Sequence, residues 1–273
     1  MLGKLIKHEF KATGRLIPAF YAFLALMCGV LFFAKKFDLT PIISTAIFFL
    51  IMAIAAVSIV TVVVIIMRFH KSVFGNEGYL TGTLPVKSGE IILSKGIIAA
   101  FWQTLSNSVA LLGVYFLIDT MLGSPIDIIK NMGEGAGALV IVFLVMMAIQ
   151  LFTMIAAIYF AITLANTRPF IKNNIGFSFL LYFALDMVLS VINICAMFII
   201  PIKAVLRPTF SITFGNAIDA FLGLVVADAA METTGSVVVP EFIGVGTVIS
   251  QVIVTIALFV FASWLLKKKT SVK

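Results

Sequence analysis

The chain has 273 residues, of which 62% are hydrophobic and only 11% charged, with a net charge of +7. Soluble domains carry roughly 25% charged residues, so this much apolar side chain must face lipid or other buried helices. That excludes a water-soluble globular domain, and the positive balance reads as loop charge beside a membrane, not as a nucleic-acid surface.

Residues 1–15, MLGKLIKHEFKATGR, come first. Leu2, Leu5, Ile6 and Phe10 fall near one helical face, with Lys4, Lys7, Lys11 and Arg15 around the other. The pattern predicts a helix lying in the membrane interface, its basic side chains reaching the headgroups. It is expected to be a retained anchor, because the apolar run behind it is long for a signal peptide and lacks an A-x-A site. Six membrane spans are predicted, at about 16–34, 42–67, 96–122, 138–164, 175–200 and 242–266. Each is long enough to cross about 30 Å of hydrocarbon. The helix of the third span is expected to begin near Ser88, with Glu90 in its first turn.

Between the second and third spans lies 68–95, RFHKSVFGNEGYLTGTLPVKSGEIILSK. Its cations are Arg68, Lys71, Lys87 and Lys95, and its glycines and Pro85 interrupt any plain helix. Residues 123–137 read as an outer loop and 165–174 as a short turn. Residues 202–241 are half apolar but interrupted by Gly215, Asn216, Asp219, Gly223 and Asp228. A re-entrant or interfacial helical pair on the outer side suits that composition, with a seventh crossing as the rival. With the N-terminus inside and six crossings, 14 of the 19 Lys and Arg fall on the cytoplasmic side. Eight of the 12 acidic residues fall outside, so both termini are expected in the cytoplasm. The whole is expected to form one all-α transmembrane domain.

Signatures of catalysis are scarce. There is no G-x-x-x-x-G-K-[ST] loop and no H-E-x-x-H pair, and His8 and His70 stand far apart. Cys28 and Cys195 sit inside apolar runs and read as packing residues. No catalytic residue, metal site or cofactor is expected on this chain. What remains is polarity within the spans. Asp186, Ser190 and Asn193 share one face of the fifth span. Gln103 and Asn107 lie in the third, Gln150 in the fourth and Gln251 in the sixth. These residues either line a polar pathway or bond helix to helix; a carboxylate in hydrocarbon is costly, so Asp186 should face the bundle interior, water or a partner.

The basic helix MLGKLIKHEFKATGR and, above all, the segment EGYLTGTLPVKSGEIILSK carry a family resemblance. The chain resembles the permease subunits of bacterial ABC exporters of the ABC-2-like class common in Gram-positive bacteria. Relatives in that class export peptides such as bacteriocins and phenol-soluble modulins. The resemblance covers essentially the whole chain and implies a coupling helix between spans two and three that docks on a separate ATPase. Carried onto this sequence, the docking residues are Glu77, Gly78, Tyr79, Leu80, Thr81, Leu84 and Pro85. Tyr79, Leu80 and Leu84 would fill an apolar groove on the ATPase, with Glu77 at its rim. It also implies a second permease chain, identical or not, with ATP and magnesium held by the ATPase, in a bacterial cell membrane. The alternatives are an ATP-independent carrier or channel, a membrane enzyme, and a non-transporting immunity or sensor subunit.

Overall fold

The computed structural model describes residues 2–14, 17–75, 88–131, 136–167, 174–199, 202–205, 211–214, 242–244 and 246–268. Helix α1 is Leu2–Thr13, α2 Ile17–Lys36, α3 Thr40–Val73 and α4 Ser88–Met121. Then follow α5 Pro125–Asn131, α6 Ala136–Ala165 and α7 Asn174–Ile199. Three short strands, β1 Ile202–Val205, β2 Ser211–Phe214 and β3 Phe242–Gly244, precede α8 Gly246–Lys268. Six of these helices, α2, α3, α4, α6, α7 and α8, are long and apolar enough to cross a membrane. Each corresponds to an expected span, so the chain is a multi-pass helical membrane protein.

Three expectations are corrected. The segment 202–241 was expected to be a helical pair, but 202–205 and 211–214 are the strands β1 and β2, and the rest of that segment lies outside the described residues. The two strands pair antiparallel, Ile202 opposite Phe214, and β3 pairs antiparallel on the other edge of β1, giving the order β2-β1-β3. In Ser-Ile-Thr-Phe the apolar side chains alternate with hydroxyls, a period of two that suits a strand better than a helix. The sixth span begins at Gly246, not at 242, because Phe242–Gly244 is a strand. The outer loop at 123–137 contains the short helix α5.

By their contacts the residues fall into two compact units, the first comprising Met1–Pro125, Ile158–Phe179 and Leu258–Lys273, the second Ile126–Ala157 and Leu180–Ala257. In the first unit α2, α3 and α4 pack together. Leu24, Cys28 and Leu31 of α2 meet Ala46, Leu50, Ala53 and Val57 of α3, with Val109, Phe116 and Leu117 of α4 against them. The spacing of three and four keeps each set on one helical stripe. The α2–α3 reversal is tight: Asp38 takes a left-handed conformation, φ 51°, which aspartate tolerates, and Leu39 N–H donates to the Ala34 carbonyl. Pro41 stands in the first turn of α3, where its missing N–H costs nothing. At the far end of the same bundle Lys35 Nζ reaches Asp119 Oδ2 at 2.6 Å and joins α2 to α4.

Helices α3 and α4 have 34 residues each. At 1.5 Å per residue that is about 51 Å, well beyond the roughly 30 Å of hydrocarbon. The segment 76–87, outside the described residues, joins their neighbouring ends, which are the Arg68 end of α3 and the Lys95 end of α4.

Candidate functional site at the Arg68 and Lys95 ends of α3 and α4

Ile6, Glu9 and Thr13 share one face of α1 and point into the first unit. Glu9 is the only acid on this helix, and it is buried. Each of its carboxylate oxygens takes one cation: Arg68 Nε donates to Oε2 at 3.1 Å, and Lys95 Nζ donates to Oε1. One carboxylate therefore ties α1 to both helices that lead into 76–87. Burial on its own raises the Glu9 pKa. Lys95, by charge and hydrogen bond, and then Arg68 outweigh burial and hold the carboxyl below the ordinary glutamate value.

The surrounding groups fix that geometry. Thr13 Oγ1 accepts from Trp102 Nε1 at 2.7 Å and donates to the Glu9 carbonyl at 2.9 Å. Tyr159, on α6, donates its hydroxyl to the Lys95 carbonyl at 3.1 Å and stacks on Phe69 with ring centroids 4.0 Å apart. A cavity of about 20 Å³ lies among Glu9, Arg68, Lys95, Trp102 and Tyr159, room for about one water. A second polar knot lies deeper in the same bundle. Ser106 Oγ bonds both Tyr21 Oη and Thr61 Oγ1 at 2.6 Å, so α2, α3 and α4 meet at one hydroxyl triad.

The docking residues read from the sequence, Glu77, Gly78, Tyr79, Leu80, Thr81, Leu84 and Pro85, lie outside the described residues. Of the polar span residues, Gln103 is buried in the first unit and donates to Asn107 Oδ1 at 3.3 Å. Its Oε1 has no partner among the described residues. In the second unit Asn193 accepts from Ser250 at 2.8 Å, and Gln251 donates to Gln150 at 2.8 Å. Asn193, Gln150 and Gln251 of the polar set therefore bond helix to helix. Asp186 and Ser190 remain exposed on α7, and Ser190 donates to the Asp186 backbone carbonyl at 2.9 Å.

Sequence reasoning noted Arg68 and Lys95 only as cations of 68–95 and did not single out Glu9. The available signal was positional: Glu9 shares a helical face with Ile6 and Thr13, not with Lys7 and Lys11, and an acid on the apolar face of a basic helix requires a buried partner. The long α3 and α4, clamped to α1 at one end, define a multi-pass helical membrane protein with a built polar site where 76–87 is attached. Comparison with protein-family models, with curated proteins and with solved structures finds no match.

Proposed function

We propose that this chain is the permease subunit of an ATP-driven exporter of the ABC-2-like class. It works as one of two permease chains with a separate ATPase that holds ATP and magnesium, and both termini lie in the cytoplasm. Its cargo is an amphipathic peptide or another hydrophobic molecule moved out of a bacterial cell. The observation that carries this is the pair of overlong helices: α3 and α4 have 34 residues each, more than the hydrocarbon requires, and Glu9 bridges them near the ends that lead into 76–87. A rigid stalk of that kind suits a loop on which a soluble motor pulls, because force on the loop passes into two spans without being lost in flexible chain. The sequence resemblance around EGYLTGTLPVKSGEIILSK supports the same reading.

The test is affinity purification of the tagged chain from native membranes in mild detergent, with mass spectrometry of what accompanies it. A stoichiometric ATPase is expected, and Tyr79→Asp with Leu84→Asp should release it while insertion is kept. Absence of an ATPase under several gentle conditions, or association unchanged in the double variant, overturns the docking assignment. The exposed carboxylate of Asp186 in α7 supports one second reading, an ATP-independent carrier. That reading requires transport without any ATPase and loss of it in Asp186→Asn.

A further inference from the structure

We infer that α1 is a binding site for acidic phospholipid, in which Lys7 and Lys11 take the headgroup phosphate and Phe10 with Phe101 forms the apolar rim beside it. Lys7 and Lys11 stand one turn apart, both exposed, on the side of α1 away from Glu9 and Thr13. The single acid of α1 does not neutralise them, since both Glu9 oxygens are engaged by Arg68 and Lys95. The outward field of α1 is therefore positive. Between the buried face and the lysines stands Phe10, 44% exposed, stacked on Trp102 at 5.3 Å and tilted against Phe101 at 5.5 Å. Phe101 is itself 47% exposed and belongs to a membrane span. The aromatic rim thus continues from the span onto α1, which ends close before α2 begins.

A paired cation beside an aromatic rim at the edge of a span matches the chemistry of a lipid, with the phosphate at the lysines and the acyl region against the rings. A free phosphate would gain nothing from Phe10 and Phe101, so the rim decides for lipid over a soluble anion. A cation near an acidic membrane surface strengthens binding by roughly fivefold, and two of them by about twenty-fivefold at most. The inference requires only that the chain is in a membrane, and it stands or falls independently of the ATPase.

The full chain carrying Trp264→Phe leaves Trp102 as the one tryptophan. Its quenching is titrated with brominated phosphatidylglycerol and, separately, brominated phosphatidylcholine in mixed micelles. The expected result is a preference for phosphatidylglycerol on the order of tenfold, reduced to near parity by Lys7→Gln with Lys11→Gln. Lys7→Arg with Lys11→Arg keeps the preference, as does Lys36→Gln at the other end of α2. Inorganic phosphate at millimolar concentration leaves it unchanged. The inference is overturned by a preference that survives the double Gln variant, by equal loss in Lys36→Gln, or by displacement with inorganic phosphate.

Discussion

Glu9 holds two cations with one carboxylate in a place where water is nearly excluded. Pairs of this kind gain little over an apolar filling, but removing one partner is expensive because the opposite charge stays buried. Glu9→Ala is expected to lower stability by about 3–5 kcal/mol, read as a fall in the thermal midpoint in detergent. Glu9→Gln isolates the charge, since it keeps the shape. The folded carboxyl titrates below its unfolded value, so its contribution is complete above the unfolded value and is lost as pH falls through the lower folded one. The gap between wild type and Glu9→Gln should therefore be widest near neutral pH and close on acidification. A gap independent of pH would show that the ion pairs contribute nothing to stability. The hydroxyl triad of Tyr21, Thr61 and Ser106 differs in kind: its members are neutral, and in a bilayer such bonds are worth only about 0.6 kcal/mol each. Spacing marks Glu9 as an acid in need of a partner but names neither its cations nor the members of the hydroxyl triad, because the partners lie tens of residues apart and meet only when the helices pack.

Helix against helix, the close approach of α3 and α4 depends on Gly113. A Cβ there would stand 2.9 Å from Cγ1 and 3.0 Å from Cδ1 of Ile54, with Leu24 Cδ2 at 3.5 Å. Gly113→Val is expected to cost about 1–3 kcal/mol through overpacking, and Ile54→Ala in the same chain should recover part of it. Gly29→Ala, where a Cβ meets nothing within 4 Å, is the control and should be neutral in the same thermal assay. The spans were legible because hydropathy marks where lipid begins and ends. The start of α4 at Ser88, with Glu90 in its first turn, was legible too. The end of α3 was not, because a helix continues past Arg68 and Lys71 wherever its backbone bonds are kept, whatever the polarity of its side chains. The strands β1 and β2 were misread for a related reason: runs of four residues are too short for composition to separate them from a small-residue helix.

For the molecule as a whole, α7 is the span least covered by its own chain, with 6% of its most apolar window buried against 22–39% for the other five. Asp186 lies in the middle of that span and is exposed. A carboxylate at the centre of a bilayer costs about 2.5–3.5 kcal/mol even on the mildest scale, so lipid is a poor cover for this face. The proposed exporter supplies a better one, a second permease chain or the water-filled path between the two. Ser190, one turn from Asp186 on the same face, reports which environment is present. In a chain carrying Cys28→Ala and Cys195→Ala, Ser190→Cys should react with a water-soluble maleimide or form a disulfide between two copies on oxidation. Met187→Cys, 73% exposed but on another side of α7, is the comparison and should do neither. Reaction with maleimide assigns the face to a path, in which case Asp186→Asn should also reduce transport. A disulfide assigns it to the junction of two chains, where Asp186→Asn should alter assembly first. If Ser190→Cys is as inert as Met187→Cys, this face of α7 lies in lipid and Asp186 has no part in either.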